Sequence, residues 1–427
     1  MRSISLLFLV VLLSPISACS NGARKSSSGD AGWIIEDISF EGGIAESGSQ
    51  SRMDAGLDVS IGTDTAGGEA GGQGSPVDAG NVVDLGTLEA DSDAGSQTKA
   101  RDWSKVEALL VSSAAGAGVA DIGLSIWDAN DARVFERMLG ALTPDTRMAV
   151  ASASKMVSGL VLFDVIAHGR LTLDSTTGQV LGWTGTNATI TLRQLLSFTS
   201  GLAPEAACTL NPLTTLAACV DTIRDSDVLA APGTRFDYGS THLHVAARMA
   251  EVATGMSWAD LFTEAIATPL GLGNELIYYT FPKQALGKIN PLIAGGLRTT
   301  VNEYADILGL VFHRGSFRGL TVGTPALFDE QNREPYPHAV IGNTPIGALG
   351  LPYHYGLTAW LMCATPSTGC DELSSPGAFG FTPWLDRQAG YYAILSMELD
   401  RNETDSGVVD FAVSLQQALE PLIREQL

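Results

Sequence analysis

A serine followed by a lysine three residues later occurs twice in this chain of 427 residues. One pair, Ser152 and Lys155, lies in the segment VASASKMVSGL at 150–160. On a helix, residues at this spacing share a face, so the amine can reach the hydroxyl. The helix continues through Leu160, Val161, Phe163 and Ile166 and is apolar on nearly every side, which predicts a central helix whose lysine loses hydration. A lower lysine pKa would let the neutral amine accept the serine proton, and this pattern predicts nucleophilic catalysis.

The second pair, Ser96 and Lys99, shows that the spacing alone is a weak indication. It falls in a stretch rich in Gly, Ser, Ala and Asp, where no cavity would remove water from the amine. The surrounding sequence therefore has to distinguish a catalytic pair from a chance pair.

The segments after Ser152 provide that distinction. In order along the chain they resemble the LLxHTSGL, PGxxFxYSN, TGxS, PLGM, GGLxST and YGLG segments of the β-lactamase-related serine hydrolases. That family includes class C β-lactamases, D-alanyl-D-alanine carboxypeptidases and β-lactamase-like esterases. The resemblance extends from about residue 105 to 400. The matching segments are LLSFTSGL at 195–202, PGTRFDYGS at 232–240, TGMS at 254–257, PLGL at 269–272, GGLRTT at 295–300 and YGL at 355–357.

The resemblance implies a role for each matching residue. Ser152 would attack a carbonyl to form an acyl-enzyme, and Lys155 would take its proton. Tyr238 would share the proton transfer, as a phenolate or as a relay. The backbone amides of Ser152 and Ala378 would form the oxyanion hole. Asp237 is expected to be a turn or capping residue rather than a catalyst.

Two positions depart from the family pattern. Ser240 replaces the motif asparagine, and its shorter side chain is not expected to bridge lysine and substrate in the same way. The third motif, K/HxG, maps onto Ser375-Pro376-Gly377, where no cation stands. In lactamases and peptidases that residue helps to seat the substrate carboxylate, so its loss disfavours β-lactam and D-Ala-D-Ala substrates. A small-molecule ester or amide is then the expected substrate. A lactamase or D,D-peptidase, and a catalytically silent binding module on the same fold, remain as alternatives.

The elements that must position these residues follow a recognisable plan. The patterns predict an antiparallel sheet packed by its own N- and C-terminal helices, with an all-helical insertion at about 150–340. This α+β arrangement agrees with the β-lactamase/transpeptidase-like fold that the resemblance implies, in a domain spanning 99–427. The predicted elements outside the insertion are a helix at 102–112, strands at 122–127, 134–139, 355–363 and 391–399, and a closing helix at 406–426 that breaks or bends near Pro421.

The N-terminal part has the composition of an exported protein. Residues 1–18 carry a positive residue, an apolar run and small residues before Cys19, and they are expected to be a signal peptide. ISAC resembles the lipobox of bacterial lipoproteins, which implies a lipid on Cys19 as the membrane attachment and, through Ser20, delivery to an outer membrane of the cell envelope. Ordinary cleavage after Ala18 is the alternative. Residues 19–98 are expected to be a disordered tether.

The net charge, the motifs and the cysteine pattern limit the partners, cofactors and metals that the chain is expected to bind. A net charge of −22 disfavours nucleic acid and anionic membrane surfaces. No nucleotide-binding or metalloprotease motif is present in the sequence, so no cofactor is expected. His242 and His244 could form half of a metal site, but partners at suitable spacing are missing and no metal is expected. The remaining cysteines predict two local disulfides rather than zinc sites: Cys208 with Cys219, and Cys363 with Cys370.

Overall fold

The structure is a computed structural model that describes residues 101–346, 349–351, 353–364, 368–400 and 407–427. The predicted signal peptide 1–18, Cys19, the predicted tether 19–98 and the second serine–lysine pair lie outside the described residues. Within the described part, no helix is both long enough and apolar enough to cross a bilayer.

A seven-stranded antiparallel sheet forms the framework of the described part, with strand order β10-β11-β12-β13-β14-β1-β2. Three smaller pairings, β3-β6-β5, β4-β9 and β7-β8, lie outside it. The strands are β1 (Gly123–Asp128), β2 (Arg133–Met138), β3 (Met148–Ala149), β4 (Arg235–Asp237), β5 (Ile277–Tyr278), β6 (Leu297–Thr299), β7 (Ser316–Phe317), β8 (Leu320–Thr321), β9 (Val340–Asn343), β10 (His354–Tyr355), β11 (Trp360–Leu361), β12 (Glu372–Ser374), β13 (Thr382–Asp386) and β14 (Tyr391–Ser396).

The helices divide between the chain ends and the middle of the described part. They are α1 (Ser104–Ala117), α2 (Ser154–Ala167), α3 (Thr177–Leu181), α4 (Leu192–Leu196), α5 (Leu216–Arg224), α6 (Thr241–Thr254), α7 (Trp258–Phe262), α8 (Val301–Phe312), α9 (Pro325–Gln331) and α10 (Val408–Arg424). Several begin with a Thr or Ser side chain that accepts a backbone N–H of the first turn, as Thr191 does for α4 and Thr300 for α8.

The large sheet separates two hydrophobic cores. Along β14, Tyr391, Ala393 and Leu395 belong to the core shared with α1 and α10, whereas Tyr392 and Ile394 belong to the core shared with α2 and α8. This alternation is the period of two that a strand buried on both faces requires. At the outer face the two terminal helices lie side by side, and the Asp102 N–H donates to Gln426 Oε1 over 2.8 Å.

The sheet bracketed by terminal helices is present, as the sequence predicts, but several boundaries differ. Helix α1 extends past the predicted end because alanines continue it until Gly118, whose left-handed φ of 70° closes the last turn. Helix α10 runs through Pro421 and ends at Arg424. The buried side chains of Leu419 and Ile423, on either side of the proline, hold that turn against the sheet.

Two further expectations were wrong. The predicted strand 355–363 is a tight hairpin of β10 and β11, because Gly356 N–H donates to Ala359 O and turns the chain. The middle of the chain is not all-helical, since β3 to β9 form small pairings there. One of these joins β3 to β6 through Met148 and Thr299, and so fixes the segment just before Ser152.

Both predicted disulfides are present: Cys208 with Cys219, eleven residues apart, and Cys363 with Cys370, seven residues apart. Disulfides are typical of oxidising compartments. We expect protein folded under oxidising conditions to gain four hydrogen atoms on reduction, measured by intact mass, and peptide mapping to link the same pairs. Each bridge closes a short loop, so removing one should lower the free energy of unfolding by about 2–3 kcal/mol. Free thiols or crossed links would contradict the assignment.

Candidate active site

Ser152 lies at the entrance to the central helix rather than within it. The sequence predicted a serine on the helix, but Ala151–Ala153 form a 3-10 turn and α2 begins at Ser154. Ala151 has a φ of +44°, a left-handed conformation that non-glycine residues rarely adopt and that often marks a functional site. The turn is braced by the Ser154 hydroxyl, which donates to Ala151 O and accepts the Leu297 N–H. Ser152 is partly exposed between two buried alanines.

Lys155 reaches Ser152 from the first turn of α2. Its Nζ lies 2.9 Å from Ser152 Oγ and donates to Ala294 O over 2.9 Å. The lysine is only 3% exposed. Burial lowers the pKa of Lys155 to about 7, and the carboxylate of Glu205 partly opposes that fall. A large fraction of the amine is therefore neutral at physiological pH, as the base of a serine nucleophile needs to be.

Tyr238 completes the group of side chains around Ser152. Its hydroxyl faces the side chains of Ser152 and Trp360, both of which act to lower the pKa of the phenol, and Lys155 Nζ lies 4.6 Å from the centre of its ring. Burial raises the pKa of Tyr238 well above the usual value for a phenol. The tyrosine is therefore neutral at physiological pH, which favours a relay that passes protons over a resting phenolate.

Stacked and edge-on aromatic rings hold Tyr238 in place. Trp360 stacks on its ring at 5.2 Å between centroids, and Phe198 meets it edge-on at 5.2 Å. Tyr355 packs against all three of these rings. Phe198 stands where the LLxHTSGL segment has histidine, so an apolar contact supports the tyrosine from that side. Such pairs restrict a ring to one orientation.

The third-motif segment runs beside Ser152. Ser375 is buried, and its hydroxyl donates to the backbone oxygen of Ser152 over 3.0 Å, so this side chain connects the end of β12 to the 3-10 turn. At Gly377 a Cβ would lie 2.3 Å from Val150 O, which restricts the position to glycine. Ala378 follows in a tight turn, and its N–H has no protein acceptor among the described residues. An amide left open beside the serine is what an oxyanion hole needs.

Ser240 contacts a carboxylate rather than Lys155. Its N–H and its hydroxyl both donate to Glu205 Oε1, over 3.1 and 3.2 Å. Ser240 is also the residue immediately before α6, so the carboxylate lies at the positive end of that helix. The shorter side chain therefore has a different partner from the one a motif asparagine would reach.

Known proteins resemble this chain in both sequence and fold. The profile of the beta-lactamase family matches residues 111–402, more than half of the chain. The chain belongs to the beta-lactamase family. The family assignment and the antiparallel sheet with flanking helices that the sequence predicted are both confirmed.

Individual relatives of the family agree with this assignment. Penicillin-binding protein 4 of Amycolatopsis lactamdurans is 33% identical over 152 residues, which are 34% of this chain and 39% of that protein. A solved structure from Bacteroides dorei, described as a candidate beta-lactamase, is 28% identical with a TM-score of 0.67, covering 76% of this chain and all of that one. Simvastatin synthase of Aspergillus terreus has a TM-score of 0.58 at 17% identity, covering 75% of this chain and 98% of the other, and it shares the fold.

Other residues that the sequence suggested lie apart from the reacting atoms. Asp237 is not a cap: it is a buried strand residue paired with Arg235. His242 and His244 are fully buried in α6, and burial lowers the pKa of each to about 4, so both are neutral. Their neighbours supply no further ligands, since the described residues contain no group of three His, Cys, Asp or Glu side chains that could hold a metal ion. His354 lies on the edge strand β10 and pairs with Glu334.

Three contacts of this family site were missed by the sequence reasoning. They are the Ala294 carbonyl that accepts from Lys155, the indole of Trp360 on Tyr238, and the carboxylate of Glu205 at Ser240. Each is brought in by a segment far along the chain from its partner. Ala294 immediately precedes the GGLRTT segment, so only that contact had a nearby signal in the sequence.

Proposed function

We propose that the folded domain is a serine hydrolase that works through an acyl-enzyme on carboxylic esters or small amides. The observation that carries the proposal is the 2.9 Å approach of the buried Lys155 Nζ to Ser152 Oγ, with a lysine pKa of about 7. A weak nucleophile beside a neutral, desolvated amine is the arrangement that serine acylation requires.

In the acylation step, Ser152 Oγ forms a bond to the substrate carbonyl carbon while its proton moves to Lys155 Nζ. The resulting oxyanion accepts hydrogen bonds from the Ser152 and Ala378 amides. When the tetrahedral intermediate collapses, the bond to the leaving alkoxide or amine breaks. The leaving group takes a proton from the Tyr238 hydroxyl, and Tyr238 in turn receives the proton that Lys155 took from Ser152.

Deacylation uses the same groups in reverse. Water attacks the acyl carbon and loses its proton through Tyr238 to Lys155, a second tetrahedral intermediate forms, and Ser152 leaves with that proton restored. The products are a carboxylic acid and the free enzyme, so neither an oxidant nor a cofactor is needed. Because burial keeps Tyr238 protonated at rest, its part is to relay protons rather than to hold a permanent negative charge.

Ser375, at the third-motif position, favours ester substrates that lack a carboxylate over substrates that carry one. Ser375 directs its hydroxyl at the Ser152 backbone, and it offers no positive charge to a substrate carboxylate. Loss of a hydrogen bond to a charged group removes about 1.5–3 kcal/mol, or roughly a 10–100-fold preference. A β-lactamase or D,D-peptidase activity, which the names of two relatives suggest, is therefore the second candidate.

A fluorophosphonate probe and a substrate panel test the proposal. We expect the probe to label one serine, mapped by peptide mass to Ser152, and p-nitrophenyl esters to be hydrolysed. The kcat/KM for nitrocefin should be roughly 10–100-fold lower than for the best ester. Faster turnover of nitrocefin would favour the lactamase. Absence of both labelling and turnover would favour a silent binding module on the same fold.

A further inference from the structure

Both backbone polar groups of Tyr238 are bonded to one distant residue, Asn343. The Tyr238 N–H donates to Asn343 O over 2.9 Å, and Asn343 Nδ2 donates to Tyr238 O over 2.8 Å. Asn343 is the last residue of β9 and lies 105 residues further along the chain. The two bonds close a ring between these residues, so Asn343 fixes the peptide groups on both sides of the tyrosine Cα.

A β-bulge brings Asn343 into line with the tyrosine. Strand β9 runs parallel to β4, and between Ile341 and Asn343 it contains one residue more than β4 does. That residue is Gly342, and a Cβ on it would collide with both side chains of the Arg235–Asp237 ion pair. The glycine lets β9 pass the ion pair, and the extra residue places the next side chain against the tyrosine motif. Bulges beside active sites commonly redirect a side chain in this way.

The strand that carries Asn343 is held by hydrogen bonds rather than by burial. Val340 and Ile341 are 68% and 67% exposed, so β9 removes little apolar surface from water. The Val340 N–H donates to Thr234 O over 2.9 Å, just before β4, and the other end of the strand is bonded to Tyr238. A change in the Asn343 side chain should therefore disturb the tyrosine more than it disturbs the hydrophobic core.

The position of Tyr238 affects one part of acylation more than the other. Lys155 Nζ reaches Ser152 Oγ directly, over 2.9 Å, so the attack on the carbonyl has its base without the tyrosine. Protonation of the leaving group, in contrast, needs the phenol within hydrogen-bond distance of the departing atom. A misplacement of about 1 Å can slow such a step by about 100-fold. A shifted Tyr238 should therefore slow departure of the leaving group more than attack by Ser152.

We propose that Asn343 is a positioning residue for the proton relay: its side-chain amide holds the Tyr238 carbonyl and so sets the phenol where it can protonate the leaving group. The inference rests on the proposed hydrolase function and adds a residue to it. Loss of the amide should matter most for substrates whose leaving group most needs a proton.

Two esters of nearly the same shape separate the two parts of acylation. The p-nitrophenyl ester of butyric acid releases a stabilised phenolate, whereas the p-methylphenyl ester releases a much more basic one that needs protonation. Because kcat/KM includes only the steps up to the acyl-enzyme, deacylation does not enter the comparison. Asn343→Leu removes the donor at similar size. Asn343→Asp keeps the shape and replaces the donor with an acceptor, so the test stands even where leucine disturbs folding.

We expect both Asn343 variants to lower kcat/KM for the p-methylphenyl ester by roughly 10–100-fold, and for the p-nitrophenyl ester by roughly tenfold less. Labelling by a fluorophosphonate should stay within about threefold of the wild-type rate, because fluoride leaves without a proton from the tyrosine. Tyr238→Phe should change the ratio of the two esters in the same direction. Adding Asn343→Leu to Tyr238→Phe should change the ratio no further, because both substitutions act through one group.

Asn187→Leu is a matched control for these variants. Asn187 is also partly buried, and its Nδ2 donates to Arg224 O and Ser226 O, at the end of α5, over 2.9 and 3.1 Å. The substitution removes the same kind of bond, from an amide to a backbone carbonyl. We expect it to leave the ester ratio and the labelling rate within about twofold of wild type.

The outcomes separate this inference from the function beneath it. A wild-type ester ratio in both Asn343 variants, with a changed ratio in Tyr238→Phe, would overturn the role of Asn343 and leave the hydrolase intact. Equal losses with both esters and the probe, a further change in the double variant, or the same change in Asn187→Leu would overturn it too. An unchanged ratio in Tyr238→Phe would contradict the relay and, with it, the inference. Wild-type protein that hydrolyses neither ester and is never labelled at Ser152 would overturn both the inference and the proposed function.

Discussion

Ser152→Ala is expected to abolish covalent labelling by a fluorophosphonate and to lower ester turnover by about 10⁴–10⁶-fold, the range found when single members of a serine protease's catalytic triad are removed. The hydroxyl is partly exposed and its neighbours Ala151 and Ala153 are buried, so the change removes the reacting atom and leaves the packing in place. Labelling followed by peptide mass, together with kcat/KM on a p-nitrophenyl ester, measures both effects.

The chain provides a matched control for this experiment. Ser96→Ala alters the serine of the other Ser-x-x-Lys pair, and we expect it to leave labelling and turnover at the wild-type level. Comparable loss in both variants would show that neither spacing is catalytic. Retention of ester turnover in Ser152→Ala would contradict the acyl-enzyme mechanism.

Lys155→Met should cause a loss nearly as large, because the serine and its base act as a unit and their effects do not add. In the wild type, only the neutral amine accepts the serine proton. With a pKa of about 7, kcat/KM should rise about tenfold per pH unit below pH 7 and level off above it. A wild-type rate that falls as pH rises from 6 to 8 would contradict lysine as the base.

Stability measurements separate the catalytic part of Lys155 from a structural one. Burial lowers the folded-state pKa below the ordinary lysine value of 10.5, so the unfolded chain binds more protons between about pH 7 and 10. The free energy of unfolding of the wild type should therefore gain a component that increases with pH across that window. Lys155→Met should lack this component, and an identical pH dependence in both proteins would mean that the lysine is not desolvated.

Contacts between residues that are close in the sequence could be predicted. Contacts between segments that are distant in the sequence could not. Ser152 and Lys155 are three residues apart, so their contact follows from backbone geometry, even though the serine lies in a 3-10 turn. Tyr238 was reached only through the family resemblance. Trp360 and Glu205 had no signal, because strand β11, which carries the tryptophan, and the loop that carries the glutamate meet the tyrosine motif only in the folded structure.

The helices and strands also fall into those that could be predicted from the sequence and those that could not. The terminal helices and strands β1, β2 and β14 could be predicted from periodicity, since each repeats over several turns or residues, whereas β12 and β13 were missed. The two-residue strands of the middle, such as β3 and β5, carry no period and exist only through their pairing with β6. The hairpin at Gly356 was misjudged because two strands joined by a tight turn look like one apolar run.

The hydrogen bond between Asp102 and Gln426 has a consequence for how the domain is displayed. Both ends of the described part leave the molecule beside α1 and α10, on one face of the large sheet, whereas α2 and the nucleophile it positions belong to the other face. A group coupled directly at residue 101 or at Leu427 is therefore attached on the face of the sheet opposite the nucleophile. Immobilisation through Leu427 should therefore leave the catalytic face turned toward the bulk solution, where substrate diffuses.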